Sequence, residues 1–336
     1  MTVLGFDEYH YLMNEPAIVK RKLPAIFRWI LWVLLFQFIL INIMAALYAN
    51  KLTRFYEGVP LNNSHSSGNV FSKTWKLFTG PKQGRSVITE QPAFPFQTVS
   101  LKASSGLNIE AWYSTTDSMA KGTVLFFHGI TSQKSIMLDE ADEFRYWGYN
   151  VMLVDFRGHG NSEGNTSTIG MTESEEVKLA YDFVSQKGEK NIYLYGVSLG
   201  AVAAAKAVTE YNLHPKAVVL DMPFASLQSY LKNKARNLGF PAQPFAFLTT
   251  FWIGIERGYN GFNHQTSHYV KKMDCPVLME WGANDAFILR EEAESVYGSI
   301  GSTQKRMVIY DASGHESFVR KEPLKWKIEM QKFFQP

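Results

Sequence analysis

The stretch "YGVSLGA", Tyr195–Ala201, sets one serine between two glycines, each two residues away. It follows the apolar run "NIYLYG" and precedes the small-residue run "AVAAAKA". A strand entering a sharp turn and leaving as a helix is the context in which G-x-S-x-G forms a nucleophile elbow. Gly196 and Gly200 fit because a side chain at either place would strike the neighbouring strand or helix. A serine that only caps the helix explains neither glycine and requires no partners elsewhere.

Working outward, the runs "TVLFFHG" (123–129), "NVMLVDF" (150–156), "AVVLDMP" (217–223), "CPVLMEWG" (275–282) and "RMVIYDA" (306–312) are continuously apolar rather than alternating. Strands buried on both faces read this way, as in a parallel sheet covered by helices. Helical patterns lie between them, over roughly 134–147, 172–187, 199–211, 290–299 and 316–333. A hairpin turning at Ser105-Gly106 precedes the series. The alternation predicts an α/β fold with a mostly parallel central sheet, helices on both faces and right-handed crossovers. From Pro223 to Cys275 no strand-like run occurs, and aromatic residues are frequent. We read about 224–272 as a helical lid insertion over the carboxyl edge of the sheet.

In such a sheet the ligand site lies at the carboxyl ends of the strands, where Ser198 falls. The elbow scheme requires an acid and then a histidine, in that chain order, each past a strand. Asp285 follows "PVLMEW" in "GANDAFI", and His315 follows "RMVIYDA" in "SGHESF". Ser198, Asp285 and His315 are therefore the expected nucleophile, orienting acid and base. Asp221, ending the strand before the insertion, is the rival acid. The expected oxyanion donors are the backbone N–H groups of Leu199, at the helix N-terminus, and Ile130, in the loop after strand 123–128. His128 reads as a buried histidine fixing that loop, Arg157 as structural, and His159 as a bracing or rim group. His264 and His268 lie four apart, but no third ligand is evident, so no metal site is expected.

The motifs "FFHGITS", "DFRGHGNSEG", "YGVSLGA", "GANDAFI" and "SGHESF" appear in an order and spacing that resemble the α/β-hydrolase family over about residues 97–335. The resemblance is nearest to its membrane-anchored members, which include serine aminopeptidase-like hydrolases and monoacylglycerol and lysophospholipid lipases. It implies the α/β-hydrolase fold, the roles given above to Ser198, His315, Asp285, Ile130 and Leu199, and no cofactor. The loop lacks the "HGGG" form of some lipases.

The N-terminal part carries a different signal. Residues 29–48, "WILWVLLFQFILINIMAALY", contain no charge. At 1.5 Å per residue they span about 30 Å, a bilayer core. The long basic lead, the length of the apolar run and the lack of a clean cleavage site favour a retained anchor over a signal peptide. Lys20, Arg21, Lys22 and Arg28 precede the span, and Lys51 and Arg54 follow it. That bias places residues 1–28 in the cytoplasm and the bulk of the chain on the other side. Residues 49–96 read as a tether, with turn-rich "NNSHSSGN" and acceptor patterns for glycosylation at Asn62 and Asn165. The domain then runs over 97–336.

A formal charge of +3 gives no reason to expect nucleic acid, and the single Cys275 excludes an internal disulfide. From Phe224 to Asn263 the insertion carries Lys232, Lys234, Arg236 and Arg257 against Glu256 alone. Basic edges on an aromatic lid suit an acyl chain with an anionic head, or a lipid surface. The expected activity is therefore a membrane-anchored serine esterase taking an acyl ester, lipid or lysolipid as substrate. Two alternatives stand beside it. A peptidase or amidase would need Glu163, Asp221 or Glu316 to hold a free amine. A non-catalytic tethered binding module would have no use for all three triad residues.

Overall fold

The computed structural model describes residues 24–59, 75, 79–116, 119–239 and 241–334. The basic residues Lys20, Arg21 and Lys22, the site at Asn62 and most of the turn-rich segment lie outside the described residues. Two compact units meet in sequence at Ile41 and Asn42.

The first unit contains the start of helix α1 (Ala25–Leu52), which extends beyond the expected 29–48 at both ends. The helix is long and apolar enough to cross a membrane. Its side chains from Ile26 to Ile41 are exposed, Trp29 at 71%. A helix whose exposed side chains are almost all apolar has the surface that a hydrocarbon environment accepts.

The second unit is built on an eight-stranded sheet of order β10-β9-β8-β7-β5-β6-β4-β3. The strands are β3 (Gln97–Lys102), β4 (Asn108–Ser114), β5 (Thr123–Phe127), β6 (Asn150–Val154), β7 (Ile192–Val197), β8 (Ala217–Asp221), β9 (Val277–Gly282) and β10 (Lys305–Tyr310). β3 and β4 form the antiparallel hairpin, β4 joins β6 antiparallel, and every other pairing is parallel. All residues of β5, β8 and β9 are buried, which explains the lack of alternation in their sequences. The helices between strands are α2 (Leu138–Tyr146), α3 (Ser174–Gln186), α4 (Leu199–Glu210) and, after the insertion, α8 (Arg290–Ser299), with α9 (Phe318–Lys321) and α10 (Pro323–Phe334) closing the chain. The expected final helix 316–333 is thus two helices, parted at Glu322, whose backbone (φ −130°, ψ 60°) is not helical.

The insertion consists of α5 (Leu227–Asn237), α6 (Ala242–Arg257) and the short α7 (Thr266–Val270). Ser226 caps α5 by a reciprocal capping box with Ser229, and Gly258 ends α6 in the left-handed conformation (φ 75°).

The two described flanks of the expected tether are not loose. Tyr48, Ala49, Leu52 and Phe55 are buried in the core of the second unit. Strand β1 (Phe55–Tyr56) pairs in parallel with β2 (Gln83–Gly84). Arg85 donates to the carbonyls of Gly160 (3.1 Å), Gly164 (2.8 Å) and Ser162. The polar, breaker-rich composition of 79–96 reflects turns laid on the domain surface, with one guanidinium collecting three backbone acceptors.

Candidate active site

Ser198 stands between β7 and α4 with φ 53° and ψ −108°, a conformation that a non-glycine residue adopts only when its surroundings impose it. The cause is the packing of strand end against helix start. A Cβ at Gly196 would lie 2.4 Å from the carbonyl oxygen of Gly200, and one at Gly200 would lie 2.1 Å from that of Phe127. Both glycines therefore permit an approach that no side chain allows. The Ser198 N–H donates to the Asp221 carbonyl at 2.7 Å, which fixes the turn to the end of β8.

Asp285 and His315 come together from the loops after β9 and β10. His315 Nδ1 lies 2.7 Å from Asp285 Oδ2, the distance of a ring N–H donating to a carboxylate. Oδ1 of the same carboxylate accepts the N–H groups of Phe287 (2.7 Å) and Ile288 (2.9 Å). Asp285 is 6% exposed and its loop is tied by its own backbone, so the acid is held before the imidazole meets it. The Phe287 ring packs edge-on to the His315 ring at 5.6 Å.

Ser198 and His315 line one cavity of about 350 Å³, with Gly129, Ile130 and Met222 among its walls. No hydrogen bond joins the Ser198 hydroxyl to His315 among the described residues. Asp221, the rival acid, also lines the cavity. Its Oδ2 accepts from the Tyr195 hydroxyl at 2.6 Å instead, so the imidazole is paired with Asp285.

The loop after β5 is braced by the two histidines read as structural. His128 Nε2 accepts the Phe156 N–H at 3.1 Å, and its Nδ1 meets the Gly129 carbonyl at 2.7 Å. His159 Nε2 accepts the Thr131 N–H at 3.3 Å, and its Nδ1 meets the Arg157 carbonyl at 2.9 Å. Both rings are fully buried. Burial holds His128 down to about 4; burial and the neighbouring His128 hold His159 to about 3. Kept neutral, each has one accepting nitrogen for a loop amide. This pins the segment around Ile130, and a Cβ on Gly129 would stand 3.5 Å from that of Ser198. Arg157 pairs with Glu175 and Glu176. His264 spends both nitrogens, on the Tyr269 hydroxyl and the Ile169 carbonyl, each at 2.9 Å.

Glu163 is exposed and accepts from the Asn108 N–H at 2.8 Å; it is not on the cavity wall. Glu316 is. Glu140, on α2, was not singled out by any motif. It lines the cavity, and its Oε1 accepts the Ser317 hydroxyl at 2.8 Å, two residues beyond His315. Its Oε2 has no partner among the described residues, and burial pushes the carboxyl up to about 7. Asp221 is raised by burial to about 6, and Glu280 beside it still further by burial and by the Asp221 charge. A single acidic residue on an amphipathic helix, or inside an apolar strand, carries no sequence mark of this burial.

A mostly parallel sheet, a strained serine directly after β7 and an acid–histidine pair past the successive strands β9 and β10 define the arrangement. Solved structures share the fold: the Pyrococcus furiosus esterase Pf2001 matches with a TM-score of 0.63 at 23% identity, over 75% of this chain and 96% of that one. The chain has the α/β-hydrolase fold. An esterase from Exiguobacterium antarcticum shares the fold at 17% identity and a TM-score of 0.55, over 71% of this chain and all of that one. The family model described as serine aminopeptidase, S33, matches residues 118–255 of this chain. Among curated proteins, the uncharacterized protein YqkD of Bacillus subtilis is 26% identical over 179 residues, 52% of this chain and 59% of YqkD. The lysophosphatidylserine lipase ABHD12 of Danio rerio is 24% identical over 200 residues, 55% of this chain and 49% of that protein. The matched region thus spans about half the length of these relatives.

Proposed function

We propose that this α/β-hydrolase is a membrane-anchored serine esterase whose substrates are acyl esters of the lipid or lysolipid class. The observation that carries the reading is the strained Ser198 on the wall of a cavity shared with an imidazole already bonded to a buried carboxylate. Ser198 Oγ attacks the ester carbonyl while His315 Nε2 takes its proton. Asp285 holds the tautomer and stabilises the imidazolium. The N–H groups of Leu199 and Ile130 donate to the oxyanion, each worth about 3–4 kcal/mol in the transition state. The carbonyl–alkoxy bond then breaks, the alcohol takes the proton from His315, and water repeats the cycle on the acyl-enzyme.

Lipid substrates are favoured by three features. Residues lining the cavity include Leu52, Ile130, Ile136, Met137, Val197, Met222 and Phe287. Phe247, Phe251 and Ile255 lie four apart on α6 and are exposed. The relative ABHD12 is by name a lysophosphatidylserine lipase. The apolar α1 acts as the anchor, with the N-terminus cytoplasmic by the basic residues before it.

The test is labelling of the full-length protein in detergent by a fluorophosphonate, alongside hydrolysis of monoacyl lipids. Labelling lost in Ser198→Ala, with hydrolysis reduced at least about 10³-fold, is expected. Folded protein that takes no label would overturn the reading and leave a tethered binding module. Cleavage of short soluble esters but of no monoacyl lipid would remove the lipid part alone. Preference for aminoacyl amides would favour the peptidase reading suggested by the matched family description.

A further inference from the structure

The cavity holds one basic side chain that the proposed reaction does not use. Lys234, on α5, lines it together with Ser198 and His315. The other basic residues of the insertion have partners of their own. Arg257 pairs with Glu256 and donates to Thr53 at 2.8 Å, Arg236 donates to Asn233 at 3.1 Å, and Lys232 feels the charge of Glu292. Around the Lys234 ammonium stand phenols instead: the Tyr230 ring centroid is 5.8 Å from Nζ, and Tyr48 is also near. Among the described residues no carboxylate forms an ion pair with it.

A half-buried ammonium beside rings and aliphatic side chains has lost hydration without gaining a counter-ion. Tyr230, which also hydrogen-bonds the ammonium, outweighs burial and raises its pKa above the ordinary lysine value, so it stays charged at neutral pH. The buried carboxyls on the same cavity, Glu140 and Asp221, are both displaced toward their neutral forms by desolvation, and Glu316 lies beside His315. Lys234 is therefore a standing positive charge in a mostly apolar chamber. Such a site binds an apolar chain readily and gains most from a ligand that also brings an anion.

Resting on the esterase reading, we propose that Lys234 is a specificity-determining residue that pairs with an anionic group, phosphate or carboxylate, carried by the lipid substrate. The enzyme then discriminates anionic monoacyl esters from neutral monoacylglycerols. One charge-assisted contact, worth about 10- to 100-fold in affinity, is the expected margin.

The experiment separates recognition from turnover. Full-length Ser198→Ala protein is titrated, below micelle formation, with three non-hydrolysable ligands of one alkyl length: an ether-linked glycerol phosphate, an alkyl succinate and an alkylglycerol. The phosphate or the carboxylate ligand is expected to bind at least 10-fold more tightly than the neutral one. Adding Lys234→Gln should bring that ratio within about 2-fold, while Lys234→Arg should keep most of it. Whether phosphate or carboxylate gives the larger ratio identifies the head group. In the Ser198-containing protein, the ratio of kcat/KM for anionic over neutral esters should collapse in parallel. No preference for anions, or a preference that survives Lys234→Gln in protein with native circular dichroism, overturns the proposal. Absence of hydrolysis from a protein whose binding ratio still depends on Lys234 would overturn the esterase reading instead.

Discussion

The carboxyl edge of the sheet and the insertion over it are held in different ways. At the edge, backbone meets backbone: the elbow forms because Gly196 and Gly200 admit contacts of 2.4 and 2.1 Å where a Cβ would stand. The insertion is held by side chains reaching far along the chain. Asn233 donates to the Phe287 carbonyl (3.0 Å) and to Glu292 (2.9 Å), Asn237 to the Ala286 carbonyl (2.9 Å), and Trp252 to Asn42 (3.2 Å). Tyr48 packs edge-on to Phe245 at 4.8 Å. Hard-core contacts between backbones tolerate no substitution, whereas a set of exchangeable polar contacts loses strength a little at a time. The same contrast divides a proposed reaction centre, which must not move, from a proposed substrate cover.

The largest effect should come from the acid at the edge. Asp285→Asn keeps the shape of the site but removes the charge facing His315, and the kcat for any accepted ester should fall about 10⁴-fold with protein stability nearly kept. A rate close to wild type would mean that another carboxyl, Asp221 foremost, serves the imidazole. Next, Gly200→Ala should destabilise by roughly 3 kcal/mol or fail to fold, since the Phe127 carbonyl has no room to retreat in a central strand. Tolerance of alanine, measured as an unchanged urea midpoint, would break the comparison.

Glu140 gives a pH test of the same edge. Its folded pKa of about 7 lies above the ordinary 4.5, so between these values the native state binds more protons than the unfolded chain. Stability contributed at this site is therefore present below pH 4.5 and lost as pH rises toward 7. Glu140→Gln lacks that loss. Relative to wild type it should gain up to about 3 kcal/mol between pH 4.5 and 8, read from urea unfolding across that range. A constant difference would show that the carboxyl is already ionised in the native protein. The smallest effect is expected in the insertion: Asn233→Ala should cost about 1–2 kcal/mol, leave the fold intact and raise KM more than it lowers kcat. A kcat loss approaching that of Asp285→Asn would mean that the insertion positions the Asp285 loop and is more than a cover.

Legibility in the sequence follows the same division. The sharp turn at Ser198, the parallel strands, the hairpin and the places of Asp285 and His315 just past their strands are readable, because each rests on neighbours in sequence: glycine spacing, continuous apolar runs, breakers after strands. The membrane-length helix was readable from twenty uncharged residues, though its ends at Ala25 and Leu52 were not. Glu140, Glu280 and Lys234 were not readable as cavity or core residues, nor was the docking of 79–96 on the domain, since each depends on partners brought near only by folding.

By itself the chain of residues determined the wound sheet and the local shape around Ser198, because sterics within a few residues leave one outcome. Only the tertiary structure decided that His315 meets Asp285 rather than Asp221, and that one lysine of the basic insertion stands in the cavity with no ion pair to a carboxylate among the described residues. Pairing and burial are set by distances between segments far apart in the chain, and no local pattern encodes those distances.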